Sequence, residues 1–220
     1  IRSKIFSKLS REITVAAKLG SKDPQSNPRL RTAIELAKDA NMPKDNINRA
    51  INKSEIDKEK NYESLRYEGF GPKNIALIIE TLTENKNRTA GSIRVILQKH
   101  GGNLGSSGST THYFDNCGII QFAKQNISDE EALELAINAG SNDCVTLDNY
   151  HEIITKKEDF YKVKNTIINS VKTLIYSGIE WRPNNFIDIS KEESTDFENM
   201  LEQLHEDDDI QKVFHNCKPA

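Results

Sequence analysis

Apolar positions along this chain repeat first with a helical period and then with that of a strand, and the switches outline its elements. Between Lys4 and Leu19 the residues Phe6, Leu9, Ile13, Ala16 and Ala17 share one helical face, and Gly20 ends that helix. Asn27-Pro28 is an N-cap followed by proline at the first helical position, where the missing N–H costs nothing. Leu30, Ala33, Ile34 and Ala37 give the second helix its buried stripe. Pro43 repeats the start signal, and Ile47, Ala50 and Ile51 face inward on a third, short helix. Three such helices make a small bundle, and the charged, apolar-poor run Lys53–Asn61 marks a domain boundary.

The period then changes. Leu65–Pro72 alternates into a Gly-Pro turn, and the isoleucine-rich run Asn74–Leu82 predicts a strand buried on both faces. Asn85–Thr89 opens a helix with Ile93, Ile96, Leu97 and His100 at spacings of three and four, stopped by Gly101-Gly102. Asn103–Ser109 reads as a flexible loop and Thr110–Asp115 as a third strand. This central unit is one helix short of a two-layer sandwich.

From Gly118 a second pattern begins with the strand Ile119–Phe122. Ser128 and Glu131 form a capping box, opening a helix whose apolar face carries Leu133, Ala136 and Ile137 and which Gly140 ends. Cys144–Leu147 and Glu152–Thr155 predict a hairpin. A long helix carries Val163, Ile167, Val171, Leu174 and Ile175, with Gly178 as its stop, and Ile179–Ile189 closes as an extended strand, part of which Pro183 confines to an edge. That order is ferredoxin-like. Ser190 and Glu193 cap one more helix, striped by Phe197, Met200, Leu201 and Leu204, and Ile210–Phe214 is a final strand. A lone helix and strand cannot bury themselves, so the chain is expected to return and complete the central unit.

The predicted fold is therefore α+β. An N-terminal three-helix domain (1–60) precedes two α/β-sandwich, ferredoxin-like domains, the last (118–189) inserted into the middle one (61–117 with 190–220).

Charge adds a polarity to this plan. The chain of 220 residues carries a net charge of −3. Yet Ile1–Lys53 holds twelve Lys and Arg against five acids, while Lys191–Asp209 holds one Lys against nine acids. A basic head and an acidic tail suggest that the head meets a polyanion; the plainer reading is a solvated helical surface. Arg2, Lys4, Lys8, Arg11, Lys18, Arg29, Arg31, Lys44 and Arg49 decorate the bundle, and helix starts at Asn27-Pro28 and Met42-Pro43 offer N–H donors toward phosphate. Asn85, Lys86, Asn87 and Arg88 form a second candidate site at a strand-to-helix junction, extended by Arg94 and Lys99; the alternative for Asn87 is a plain N-cap. Tyr67 and Tyr113 are possible base-stacking aromatics, with core packing as the competing role.

Other chemistries find little support. The Gly101–Ser109 stretch lacks the GK[ST] ending of a phosphate-binding loop, and there is no Gly-x-Ser-x-Gly elbow. His112, Cys117, His215 and Cys217 fit no standard zinc spacing, and no cofactor is implied. Three cysteines without a CxxC pair suit a reducing compartment. No apolar run approaches the ~20 residues of a membrane span. Because residue 1 is isoleucine rather than methionine, an N-terminal segment is expected to have been removed or left out.

Five stretches carry a more specific signal: Ile5–Ile13, Asn41–Ile47, Tyr67–Pro72, Thr83–Thr89 and Gly101–Gly105. In this order they resemble the signature segments of the YebC/PmpR family, which includes the mitochondrial translational activator of cytochrome oxidase subunit one. The resemblance runs from Ile1 to Val213-Phe214-His215-Asn216 and lacks the family's usual basic arm before the first helix. It implies a helical domain followed by two α/β domains, and a non-enzymatic, DNA-binding transcriptional regulator. The alternative it leaves open is a ribosome- or RNA-associated translation factor that relieves stalling. The expected partners are nucleic acid (DNA or ribosomal RNA) and, on the alternative reading, the ribosome, with no membrane, for a monomer in the cytoplasm or, given a transit peptide, the mitochondrial matrix.

On this reading, charge reversal at Arg11, Lys18, Arg29 and Arg31 is expected to weaken polyanion binding and flatten its salt dependence without unfolding the protein, as a salt titration of binding would show.

Overall fold

The computed structural model describes residues 2–56 and 61–219, with the side chains of Arg2 and Asn126 outside the description. Its first elements are the three predicted helices, α1 (Arg2–Leu19), α2 (Pro28–Asp39) and α3 (Lys44–Ile56). Their stripes meet in a core of Ile13, Ala16, Ala17, Leu30, Ala33, Ala37, Met42, Ile47 and Ala50. Asn27 caps α2 by accepting from Leu30 N, and its amide donates to Ala16 O at 2.8 Å, so one buried side chain joins the end of α1 to the start of α2. Thr14 Oγ1 donates to Ala50 O at 2.7 Å and ties α1 to α3. The helical period of α3 continues to Ile56, into the predicted linker, whose residues 57–60 lie outside the described residues.

Next in chain order come β1 (Glu63–Phe70), β2 (Ala76–Thr83), α4 (Lys86–Lys99) and β3 (Asn103–Leu104). They are followed by β4 (Phe114–Ala123), α5 (Asp129–Ala139), β5 (Asp143–Thr146), β6 (Tyr150–Lys156), α6 (Phe160–Val171) and β7 (Tyr176–Pro183). The chain ends with α7 (Lys191–Glu206) and β8 (Ile210–His215). Two four-stranded sheets result, ordered β3-β1-β2-β8 and β5-β6-β4-β7. The chain divides into two compact units, Ile1–Ser109 with Asp188–Val213 and Thr110–Ile187 with Phe214–Ala220. The helical bundle and the first sheet share the first unit, and the second sheet is inserted within it.

In the first unit β2 is buried on both faces, as its unbroken apolar run predicts. Ile93 and Leu97 of α4 and Phe197, Met200 and Leu204 of α7 are buried. The returning strand β8 takes the edge beside β2, where Leu82 N donates to Asp209 O at 2.8 Å. The predicted third strand is placed differently. Thr111–Tyr113 is a single 3₁₀ turn, and the strand that starts at Phe114 belongs to the second sheet. Its place beside β1 is taken by Asn103-Leu104, inside the expected loop. A Cβ on Gly102 would lie 2.1 Å from Phe70 O, so this close approach to β1 requires glycine. The rest of that loop is tied down as well: Gly105 N donates to Glu68 O and Gly108 N to the buried Glu68 carboxylate, at 2.8 and 2.7 Å.

In the second unit, Ile120, Phe122 and Ile153 of the sheet pack on Ala132, Ala136 and Ala139 of α5 and on Phe160, Val163 and Ile167 of α6. The alanines therefore form the buried stripe of α5. Leu133 and Ile137, expected there, are 50% and 67% exposed, because the small residues let the helix lie closer to the sheet. The predicted long helix also stops early. Lys172 takes a positive φ after Val171, and Ile175 N already donates to Gln121 O at 2.7 Å, so Leu174 and Ile175 lead into β7 and Gly178 lies within it.

Gly118 opens no new element. It sits inside β4, where a Cβ would meet Phe160 Cδ2 at 2.6 Å and Thr155 Cγ2 at 2.7 Å. Gly118→Val is accordingly expected to destabilise the protein by about 1–3 kcal/mol through overpacking, seen as a lower midpoint in urea unfolding.

Candidate nucleic-acid interface

The acidic tail folds back onto part of the basic head within the first unit. Lys4 Nζ donates to Asp208 Oδ1 at 2.8 Å and to Glu206 O at 2.7 Å, and Lys8 Nζ donates to His205 O at 2.7 Å. Burial, reinforced by the neighbouring Lys4 charge, holds Lys8 below the ordinary lysine value. Arg11 donates through one nitrogen to Leu82 O, Asp208 O and Asp209 Oδ1, at 3.1, 2.7 and 2.9 Å. Arg88 donates to the same Asp209 carboxylate through Nε and Nη2, at 2.9–3.2 Å, and Thr89 Oγ1 donates to it at 2.9 Å. Burial alone would push the Asp209 carboxyl up; the hydrogen bonds from Arg88, Thr89 and Arg11 outweigh it and hold the group below the ordinary carboxylate value.

These contacts sort the predicted site residues. Lys4, Lys8, Arg11 and Arg88 fasten α1 and α4 to the segment before β8. Arg29 is engaged within the bundle, gripping both oxygens of Glu12 at 2.7 and 3.1 Å. Reversing Arg11 or Arg29 therefore opposes like charges across an internal contact, and the fourfold reversal suggested by the sequence is expected to destabilise the fold. At the strand-to-helix junction the cap is Asn85, whose Oδ1 accepts from Arg88 N at 3.0 Å. Asn87 is exposed in the first turn, and the Arg88 side chain faces Asp209, so that N–H group and that cation do not converge on a common ligand position.

The other cations point outward. Among the described residues Arg31 reaches only Pro24 O, at 3.3 Å, and Lys44 is exposed. Arg49 donates to Asp45 O and to Asn46 Oδ1. Lys86 and Arg94 are exposed on α4, and Lys18 is partly exposed on α1. Lys99 donates to Gln203 Oε1 at 3.4 Å and lines a hollow with Glu202 and Glu206, a neighbourhood that opposes anions. The Arg2 side chain lies outside the described residues.

Between α1 and α3 lies a groove of about 480 Å³. Ser7, Ser10, Arg11 and Thr14 of α1 line it on one side, Asn46, Arg49, Ala50 and Lys53 of α3 on the other, and Tyr62 lines it as well. The Arg11 guanidinium carbon stands 5.3 Å from the Tyr62 ring centroid, a cation–π contact. Among the described residues, no carboxylate lines the groove. Ser7, Ser10, Asn46, Lys53 and Tyr62 were not among the residues expected from the sequence. Their signal was present as two polar stripes, Ser7-Ser10-Thr14 and Asn46-Arg49-Lys53, each at spacings of three and four.

The remaining sequence candidates stand apart. Tyr67 Oη donates to Lys86 O at 3.0 Å, while Tyr113, for which core packing was the competing role, is 41% exposed with the His112 ring 4.0 Å away. Among the described residues, no three His, Cys, Asp or Glu side chains gather as metal ligands would.

A basic three-helix bundle joined to one α/β sandwich, with a second sandwich inserted, is the class that this fold and groove define. Residues 1–56 match the family described as "TACO1/YebC protein N-terminal domain", and residues 62–217 match "TACO1/YebC second and third domain". The chain is 54% identical over 215 residues to a probable transcriptional regulatory protein of Pelagibacter ubique, covering 98% of this chain and 89% of that protein. It is 46% identical to a protein of the same description from Zymomonas mobilis, covering 98% and 86%. The crystal structure of a conserved hypothetical protein from Aquifex aeolicus superposes with a TM-score of 0.84 at 41% identity, covering 99% of this chain and 90% of that one. This chain belongs to the TACO1/YebC family.

Asp209→Asn is expected to cost about 3 kcal/mol, the low end for a one-sided break of a buried ion pair, because the Arg88 side chain is 51% exposed. The depressed carboxyl pKa means that wild type holds this advantage above the ordinary value of 3.8 and loses it as pH falls further. Urea midpoints of the two proteins, compared from neutral pH down into that range, are expected to converge.

Proposed function

We propose that this protein is a non-enzymatic regulator of gene expression that binds nucleic acid through the outer surface of its helical bundle and α4. One observation carries the reading. With the acidic tail engaged by Lys4, Arg11 and Arg88, the cations Arg31, Lys44, Arg49, Lys86 and Arg94 have no carboxylate partner among the described residues. An outward set of uncompensated cations favours a polyanion, and phosphate contacts of this kind position a protein on nucleic acid without reading bases. Relatives described as probable transcriptional regulatory proteins make duplex DNA the first target to consider and transcription the process regulated.

Fluorescence anisotropy with labelled duplex DNA and with RNA, across a potassium chloride series, tests this. Binding to duplex DNA is expected, with a steep salt dependence. The triple variant Arg31→Glu, Lys44→Glu, Arg49→Glu is expected to weaken it and to lower the log–log salt slope by about 3, roughly 0.9 for each phosphate no longer neutralised. Binding confined to RNA would shift the reading to a translation factor. Binding to neither at low salt would overturn it.

A further inference from the structure

The groove between α1 and α3 has a composition that a general phosphate-attracting surface does not require. A duplex is held by cations on an open face. Here cations share a concave slot with hydroxyls, an amide and an aromatic ring, and among the described residues no carboxylate lines it. Its volume of about 480 Å³ lies within the ~300–1,000 Å³ of sites that enclose a small ligand, yet Ala50 is the only aliphatic residue among those described as lining it, which argues against an apolar guest.

The parts divide into two roles. Arg49 and Lys53 lie one helical turn apart on α3 and supply positive charge. Opposite them, the hydroxyls of Ser7 and Ser10 have no hydrogen-bond partner among the described residues, whereas Thr14 is engaged by Ala50 O. That wall offers donors to phosphate or sugar oxygens. Arg11 has a different part. Its guanidinium is held by Asp209 and two carbonyls, and it supports the Tyr62 ring instead of reaching for a ligand. A positioned aromatic ring beside cations and hydroxyls is the arrangement with which proteins hold a splayed-out nucleotide, the base on the ring and the phosphate on the cations.

We infer that this groove binds one unpaired nucleotide of a single strand, with the base stacked on Tyr62 and the phosphodiester between Arg49, Lys53 and the Ser7–Ser10 wall. This inference rests on the nucleic-acid-binding reading above and specifies the strand state that the bundle selects. Stacking and phosphate contacts serve DNA and RNA alike; the 2′-hydroxyl, facing Ser7, Ser10 or Asn46, is where the two would differ.

The test uses the full chain and three labelled probes: oligo(U), oligo(dT), each of about 12 nucleotides, and a duplex of matching length. Both single strands are expected to bind more tightly than the duplex. Tyr62→Leu is expected to weaken single-strand binding about tenfold while leaving duplex binding unchanged, and Tyr62→Phe to bind like wild type. Photo-cross-linking of a 4-thiouracil-containing strand to the wild-type protein is expected to label the peptide that carries Tyr62, a readout that stands even if the leucine variant folds poorly. A folded Tyr62→Leu protein with wild-type affinity for single strands, or cross-links found only elsewhere, would overturn the groove assignment. Duplex binding that persists in that case would leave the broader function standing; loss of binding to all three probes by the wild type would remove both.

Discussion

The first unit is organised around one carboxylate. Asp209 is 4% exposed and receives hydrogen bonds from Arg11 of α1 and from Arg88 and Thr89 of α4, while its own carbonyl accepts from Leu82 of β2. A buried charge is tolerable only when it is paired and fully hydrogen-bonded, so this position constrains everything around it. The bundle, the helix of the first sandwich and the returning strand must all arrive in register to satisfy it. The neighbouring Asp208 and Glu206 contacts to Lys4 are exposed, and surface pairs of that kind add little to stability.

That constraint also divides the cations of the basic head. Those that meet the tail are structural, as is Arg29 on Glu12, and the outward set of Arg31, Lys44 and Arg49 is the surface on which the proposed nucleic-acid binding depends. The acidic tail therefore has a defined partner in its own chain. Its negative charge neutralises a particular set of arginines and lysines and leaves the described lining of the α1–α3 groove free of acid. Arg11 belongs to both regions, since its bond to Asp209 fixes the guanidinium that supports Tyr62. The ion-pair hub and the groove thus share one side chain, which makes the shape of the groove dependent on the return of the C-terminal segment.

Membership of the TACO1/YebC family rests on matches that together span nearly the whole chain, and the relatives at 54% and 46% identity cover it just as fully. The contacts proposed for Arg31, Lys44 and Arg49 are to phosphate and would not distinguish one nucleic acid from another. On that proposal discrimination would come from features of shape, and the groove lined by Tyr62 is such a feature on the bundle.

Much of the fold was legible because it is fixed by local chemistry. The Asn27-Pro28 start, both Ser-x-x-Glu capping boxes and the two-sided burial of β2 each depend on residues a few positions apart, so the sequence determined them alone. The return of α7 and β8 also followed from the chain, since an amphipathic helix and a lone strand need cover. Other features depended on partners distant in sequence. Gly118 looked like a boundary because nothing nearby announces Phe160 and Thr155, which leave no room for a Cβ there. Leu133 and Ile137 looked buried because their periodicity cannot tell an alanine stripe from a leucine stripe when the helix lies close to a sheet. Arg11 and Arg49 were equivalent as sequence, two cations on amphipathic helices. Only the tertiary structure, by bringing Asp209 198 residues along the chain to Arg11, made one of them a structural anchor and left the other facing a groove.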